Sequence, residues 1–144
     1  MALTLRPVAD QVIVITGASS GIGLVTARTA ARRGATVVLA ARNEQALRTF
    51  VDEIRAAGGT AAYVAADVGR EEDVQRIAET AIAEFGRFDT WVNNAGVSIF
   101  GNIMEVSTED LRRVVRHGFL GCCLRLAHRG RALPSPRWES KQGR

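Results

Sequence analysis

Short apolar stretches alternate with longer amphipathic stretches over the first 120 residues of the chain. The apolar stretches are rich in β-branched or aromatic residues and carry few charges, which is typical of strands buried on both faces of a sheet. They are QVIVIT (11–16), ATVVLAA (35–41), TAAYVAA (60–66) and FDTWVNN (88–94). The pattern therefore predicts four strands.

The amphipathic stretches between the strands predict four helices. Asn43 is a candidate N-cap of the second helix, and Ser107 or Thr108 is a candidate cap of the fourth. Glycine follows the first three helical stretches, as is common just beyond a helix end, at Gly34, Gly58 and Gly86. Alternation of strand and helix predicts right-handed βαβ crossovers and an α/β fold whose parallel sheet is covered on both faces.

Three glycines, Gly17, Gly21 and Gly23, join the first predicted strand to the first predicted helix. Glycine permits positive φ in such a turn, and the lack of Cβ lets a pyrophosphate approach the backbone. The N–H groups and dipole of the helix N-terminus then favour the anion. A three-glycine turn alone has an ordinary structural explanation, but its position between strand and helix favours phosphate binding.

Two motifs together resemble the short-chain dehydrogenase/reductase family: TGASSGIG (16–23) and NNAG (93–96). The resemblance covers residues from about 8 to 121. It implies a Rossmann-like, doubly wound parallel sheet, here truncated after about four strands and four helices. Residues 1–120 would be a partial NAD(P)-binding domain, and residues 121–144 an atypical tail. The implied activity is an NAD(P)(H)-dependent oxidoreductase acting on an alcohol/carbonyl pair.

The resemblance also implies a set of cofactor-binding residues. The phosphates would be wrapped by Gly17, Ser19, Ser20, Gly21, Ile22 and Gly23. Asp67 and Val68 match the pair that flanks the adenine ring in the family. Asn94, Ala95 and Gly96 match the segment beside the adenosine ribose and the nicotinamide side. For Asn93 and Asn94, bracing of the sheet end is an open alternative.

Arg42 bears on which nicotinamide cofactor is preferred. NAD-binding proteins place an acidic residue at the end of the second strand, where it bonds the ribose 2′-hydroxyl. This chain reads LAARNE there, and Arg42 could pair bidentately with a 2′-phosphate. NADP is therefore the predicted cofactor, ahead of NAD. The alternative is that Arg42 simply points into solvent at a helix start.

The residues that carry catalysis in the family have no match in this chain. A tyrosine exchanges the proton there, and a lysine four residues later lowers its pKa. Tyr63 is the only tyrosine and is followed four residues later by Asp67; the only lysine is Lys141. The helix segment that carries the family's asparagine reads HGFLG here, with His117 interpreted as a surface or packing residue. We therefore predict no catalytic residue and no metal ligand.

The tail accounts for the basic character of the chain. Residues 1–120 carry 13 Arg against 14 Asp or Glu, so the formal net charge of +4 comes from residues 121–144. Neither interleaved aromatic residues nor a base-reading helix accompanies the tail, and we predict no nucleic-acid partner. Pro134 and Pro136 disfavour regular structure there, and a shifted reading frame near Gly121 is one hypothesis for its composition.

Hydropathy predicts a cytoplasmic location, because MALTLRPVAD has neither the basic start nor the long apolar centre of a secretory signal. Adjacent Cys122 and Cys123 predict neither a disulfide framework nor a zinc site. No apolar stretch approaches the roughly 20 residues of a membrane span, so no membrane partner is expected. The resemblance implies a homo-oligomer, although the residues leave the oligomeric state of this chain open.

Two function classes follow from these observations. The first is an NADP-preferring short-chain oxidoreductase whose intact form acts on a small alcohol or carbonyl substrate. The second is a non-catalytic dinucleotide-binding or interaction module, which keeps the glycine loop without the Tyr-x-x-x-Lys pair. For the 144 residues themselves we expect cofactor binding without turnover.

Overall fold

The computed structural model describes residues 6–100, 102 and 104–117. Its centre is a four-stranded sheet in which every pair of neighbouring strands is parallel. The strands are β1 (Val12–Thr16), β2 (Thr36–Ala41), β3 (Ala61–Ala65) and β4 (Thr90–Val92). They lie in the order β3-β2-β1-β4, so the chain moves outward to β3 and then crosses back to the other side of β1.

Four helices connect or follow these strands. They are α1 (Gly21–Arg32), α2 (Glu44–Ala56), α3 (Glu71–Phe85) and α4 (Thr108–Val115). A short 3-10 turn, Val8–Asp10, precedes β1. Reversal of direction after β3 places α3 on the opposite face of the sheet from α1 and α2. This is the doubly wound α/β architecture that the sequence predicts.

Alternate residues of β1 supply the two layers of the core. Ile13 and Ile15 point towards α1 and α2, where Leu47 is fully buried. Val12 and Val14 point to the other face, where they pack with Ile77 of α3. Burial on both faces explains why the strand sequences are continuously apolar rather than alternating.

The predicted helix caps are confirmed where their side chains are described. The Asn43 side chain accepts a hydrogen bond from the backbone N–H of Ala46 at 3.1 Å. Ser107 caps α4 by accepting from the N–H of Asp110, also at 3.1 Å. The three predicted stop glycines all have positive φ, at Gly34, Gly58 and Gly86.

The fourth strand is shorter than predicted. The sequence pattern predicts residues 88–94, whereas β4 comprises Thr90–Val92. Its carboxyl end leaves the ladder because the backbone N–H of Asn94 bonds the hydroxyl of Thr16, 3.2 Å away. A side chain of β1 thus replaces the next strand-to-strand hydrogen bond.

The predicted tail, residues 121–144, lies outside the described residues, as do Cys122, Cys123 and Lys141. Within the described part of the chain, no helix is long and apolar enough to cross a membrane.

Asp89 holds the amino end of β4 against β1. Its carboxylate accepts a hydrogen bond from the N–H of Val12 at 2.9 Å and pairs with Arg87 at 3.1 Å and Arg6 at 3.5 Å. Partial burial raises the pKa of Asp89, but this hydrogen bond and the two guanidinium groups outweigh it and leave the pKa below its ordinary value.

We predict that Asp89 makes folding stability sensitive to acid. Because its pKa is lowered in the folded state, ionised Asp89 stabilises the fold above the unfolded-state pKa of about 3.9. This stabilisation is lost as the pH falls through the lower folded-state pKa. Melting temperature, followed by circular dichroism between about pH 6 and about pH 3, should fall less steeply in Asp89→Asn than in the parent. Asp52→Asn, at an exposed position of α2, is the matched control. An unchanged acid slope in Asp89→Asn would contradict the assignment.

Candidate functional site

A cleft of about 400 Å³ opens at the carboxyl edge of the sheet. Residues that follow all four strands line it, which is the usual ligand position in doubly wound α/β folds. The lining residues that follow β1 and β4 are Gly17, Ser19, Ser20, Asn94, Ala95, Gly96 and Val97. From β2, β3 and beyond α4 come Ala41, Arg42, Asn43, Ala66, Asp67, Val68 and His117.

The glycine loop after β1 is packed directly against the segment after β4. Gly17 has φ of +67°, and a methyl group there would lie 2.9 Å from both Ala95 Cα and Asn94 Nδ2. A methyl group at Gly23 would lie 2.5 Å from Asn94 Nδ2 and would collide with the carbonyl oxygen of Gly17. Gly17 and Gly23 are therefore required by close approach of two backbone segments.

Thr16 joins the end of β1 to the segment after β4 through its hydroxyl, and the residue is fully buried. Its hydroxyl donates to the carbonyl of Val92 at 3.3 Å and accepts from the N–H groups of Asn94 and Ala95 at 3.2 and 3.1 Å. The hydroxyl thus uses its donor and both acceptor positions within the protein.

The Asn94 side chain completes the junction. Its amide nitrogen donates to the carbonyl oxygens of Thr16 and Gly17, at 3.1 and 3.2 Å. The amide nitrogen of Asn94 thus braces the end of the sheet, which was the alternative left open by the sequence. The residue also lines the cleft.

The first turn of α1 begins beside the cleft without a side-chain cap. Ser20 occupies the N-cap position in extended backbone conformation, and its side chain makes no capping hydrogen bond. The first N–H groups of a helix have no partner within the helix, and they carry the positive end of its dipole. This terminus can therefore accept an anionic ligand group.

Arg42 lies at the rim of the cleft, directly beyond β2. Its side chain is exposed, and across residues 6–100, 102 and 104–117 its guanidinium makes no hydrogen bond or ion pair. Asn43, the next residue, also lines the cleft and caps α2 through its own side chain.

The turn after β3 is held by a second carboxylate. Asp73, in the first turn of α3, accepts from the backbone N–H of Asp67 at 2.8 Å and pairs with Arg76 at 2.9 Å. The Asp67 hydrogen bond lowers the pKa of Asp73; partial burial opposes this, and the nearby Arg76 lowers it further, leaving it below the ordinary value. Asp73 thereby fixes the backbone that presents Asp67 and Val68 to the cleft.

His117, interpreted from the sequence as a surface or packing residue, is mostly buried and lines the cleft. It packs at the wall of the cleft, with Nε2 3.1 Å from Asp67 Oδ1 and Nδ1 2.9 Å from the carbonyl oxygen of Arg113. No local pattern indicates this contact, because Asp67 and His117 lie 50 residues apart in the chain.

The structure brings most of the predicted site residues together. Nine of the twelve line the cleft, and Gly21, Ile22 and Gly23 form the first turn of α1 beside it. Sequence reasoning did not include five lining residues, namely Ala41, Asn43, Ala66, Val97 and His117. The first four are adjacent in sequence to predicted site residues. Their positions at or just beyond the carboxyl ends of the predicted strands could therefore have indicated them.

Tyr63 stands apart from this site. It lies in β3 and packs against the core layer beneath α1 and α2, and it is not among the residues that line the cleft. The described cleft therefore contains cofactor-binding candidates but no tyrosine.

A family comparison identifies the chain. The family model for short chain dehydrogenases matches residues 11–135. The chain belongs to the short chain dehydrogenase family.

Curated relatives of this member of the family include YxnA of Bacillus subtilis, an uncharacterised oxidoreductase that is 64% identical over 119 residues. That match covers 83% of this chain and 33% of YxnA. The A-factor type γ-butyrolactone 1′-reductase of Streptomyces virginiae is 51% identical over 84 residues, covering 58% of this chain and 33% of that protein. The chain thus spans about a third of the length of these two relatives.

Solved structures share the fold. L-sorbose reductase from Gluconobacter frateurii, complexed with NADPH and L-sorbose, has a TM-score of 0.76 at 34% identity, covering 80% of this chain and 44% of that one. The alcohol dehydrogenase of Thermococcus sibiricus, complexed with 5-hydroxy-NADP, has a TM-score of 0.77 at 34% identity, covering 81% and 50%.

We predict that Gly23→Ala disrupts the junction of the loop with Asn94. Relief of the overlap requires movement of backbone or of the amide, and we expect a loss of about 1–3 kcal/mol in the free energy of unfolding, measured by urea denaturation. The matched control is Gly96→Ala, because a methyl group there has no atom within 4 Å and the residue lacks positive φ. The control should change stability by less than about 0.5 kcal/mol. Equal losses in the two variants would refute the packing argument.

Proposed function

We propose that this chain binds NADP(H) and forms the cofactor-binding part of an oxidoreductase acting on an alcohol/carbonyl pair. The observation that carries the proposal is the cleft itself. The braced glycine loop, the start of α1 with no side-chain cap and Arg42, whose guanidinium has no partner among the described residues, border one space at the carboxyl edge of the sheet.

The residues present fit a dinucleotide. Gly17 lets the loop pack against Asn94 and Ala95 at the floor of the cleft, and the N–H groups from Gly21 to Gly23 carry the positive end of the α1 dipole, which would face a diphosphate. Asp67 and Val68 would border the adenine beyond β3, while Ala95 and Gly96 would border the ribose and nicotinamide side beyond β4. The ligand would then span the point at which the strand order reverses.

The preference for the 2′-phosphate rests on Arg42. A guanidinium offers paired N–H donors that match a phosphate, whereas the carboxylate that NAD-binding proteins use at this place would repel it. The complexes of the two similar enzymes with NADPH and with an NADP derivative support the same cofactor.

The proposed reaction class follows from the cofactor and the relatives. A bound nicotinamide dinucleotide supplies hydride transfer to or from a carbonyl carbon. The described residues bind and orient the dinucleotide; the proton-transfer pair that the family uses has no match in the 144 residues. The names of L-sorbose reductase and alcohol dehydrogenase support a small alcohol or carbonyl compound as substrate.

We predict that Arg42→Gln weakens NADP+ binding selectively. Loss of a charged hydrogen bond to the 2′-phosphate should raise the Kd for NADP+ by about tenfold or more. The Kd for NAD+ should stay within about twofold of the parent, because NAD+ lacks this phosphate. Isothermal titration calorimetry with both dinucleotides measures the effect.

Arg48→Gln is the matched control, since Arg48 is exposed on α2 and does not line the cleft. It should leave both Kd values unchanged. Equal NADP+ and NAD+ affinities in the parent, or an unaltered ratio in Arg42→Gln, would contradict the proposed preference.

The second candidate function is a dinucleotide-binding module without catalysis. The observation that favours it is the position of Tyr63, which packs into the core layer and is followed four residues later by Asp67 rather than lysine.

For the 144-residue chain we predict saturable NADP(H) binding with no turnover of ketones or alcohols. A spectrophotometric assay that follows NADPH absorbance with a substrate panel distinguishes the two functions. Turnover abolished by Arg42→Asp would overturn the non-catalytic alternative, whereas binding without turnover would support it.

A further inference from the structure

β3 is the outermost strand on its side of the described sheet. In the order β3-β2-β1-β4 it pairs with β2, and no described strand lies beyond it. Its sequence, AAYVA (61–65), carries neither a charge nor a proline. A strand of this kind presents a row of unpaired N–H and C=O groups, with which a strand of another molecule can pair. Any protection against such pairing therefore has to come from neighbouring elements.

The strand register shows which backbone groups of β3 face outward. The carbonyl of Thr60 and the N–H of Ala66 bond β2, at 3.0 and 2.9 Å. Successive residues of a strand direct their backbone hydrogen-bonding groups to opposite sides, so the even-numbered residues face β2. The groups that face outward belong to the odd-numbered residues, Ala61, Tyr63 and Ala65.

Two guanidinium groups bind the carbonyls at the two ends of this outward row. Arg55, in the last turn of α2, donates from Nε to the carbonyl oxygen of Ala61 at 3.0 Å. Arg76 of α3 donates from Nη2 to the carbonyl oxygen of Ala65 at 2.7 Å. Because α2 and α3 pack on opposite faces of the sheet, the arginines reach the edge of β3 from both sides. Between them, the outward groups of Tyr63 have no partner among the described residues.

Arg76 is held at the edge by a second contact. Its Nη1 lies 2.9 Å from Asp73 Oδ1, so the guanidinium bridges a carboxylate of α3 and the carbonyl of Ala65. A planar guanidinium presents its N–H groups in a rigid fork, which suits such a bridge. Half of the Arg76 side chain remains exposed, so its charge lies where an incoming strand would approach.

Pairing of two copies through this edge would bring the arginines together. Two identical edges related by a two-fold axis centred on Tyr63 would pair antiparallel. Ala61 of one copy would then oppose Ala65 of the other, at a strand spacing of about 4.8 Å. This arrangement places Arg55 of the first copy beside Arg76 of the second. An incoming N–H would also exchange a charge-assisted hydrogen bond for a weaker neutral one.

We propose that Arg55 and Arg76 keep the outer edge of β3 from pairing with a second copy of this chain. They do so by binding the outward carbonyls at its two ends and by setting like charges against each other when two edges approach. Neither arginine lines the cleft, so this role is independent of the proposed function.

The test combines Arg55→Ala with Arg76→Ala in the 144-residue chain. Sedimentation velocity over a range of protein concentrations should show self-association at least about tenfold stronger than in the parent. Hydrogen exchange followed by NMR should show protection of the Tyr63 amide in the associated species, because its N–H faces the incoming strand.

The matched control combines Arg33→Ala with Arg48→Ala. Both residues are exposed, and neither side chain bonds the edge of β3, so the control removes the same charge without releasing a carbonyl. It should associate as the parent does. Arg55→Lys combined with Arg76→Lys keeps a charged donor at each position and should also retain the parental behaviour.

Ala65→Pro, added to the double alanine variant, tests the surface that is used. Proline removes an outward N–H of β3 and cannot donate to a further strand, so the new association should be reversed. Association that persists in this triple variant does not pass through β3 and would contradict the proposal.

Two results in the double alanine variant would also overturn the proposal. One is self-association no stronger than in the parent, and the other is association without protection of the Tyr63 amide. A lower melting temperature without new association would assign the arginines a purely structural role. Circular dichroism establishes that each variant is folded, and Arg76→Ala alone decides by the same two measurements should the double variant fail to fold.

Discussion

The geometry of the cleft depends on the buried hydroxyl of Thr16. Parallel strands at a reversal of strand order separate at their carboxyl ends, because each continues to a helix on a different face. The Thr16 hydroxyl bridges that separation. It donates to the carbonyl of Val92 in β4 and accepts from the backbone N–H groups of Asn94 and Ala95. A hydroxyl with all its bonds inside the protein costs little to bury, whereas an unpaired one would be expensive.

This junction explains why glycine is required on one side and an amide on the other. Asn94 donates to two loop carbonyls, which brings its side chain into the space where a Cβ of Gly17 or Gly23 would lie. The loop carbonyls are satisfied by the amide, and the N–H groups at the start of α1 remain for a ligand. The TGASSGIG and NNAG motifs thus contact each other directly, one following β1 and the other following β4.

Local patterns predict those parts of the structure that arise from local interactions. Strand burial follows from the apolar runs, and the Asn43 and Ser107 caps follow from bonds to residues three positions away. The carboxyl end of β4 was predicted too long because its limit is set by Thr16, 78 residues earlier in the chain. The partner of His117 could not be read from local sequence for the same reason, since Asp67 belongs to the turn after β3, 50 residues earlier.

Binding and chemistry place different demands on such a chain. Among the described residues, the cleft is lined by positions between 17 and 117, and the bonds that brace its glycine loop join side chains and backbone of β1 with those of β4 and the segment after it. Proton transfer needs a further donor at the reacting carbonyl, which none of the braced residues supplies, since Thr16 and the Asn94 amide nitrogen are already committed to the fold. The hydrogen bonds that shape the described cleft therefore serve the fold, and in our proposal they hold the loop that binds the dinucleotide.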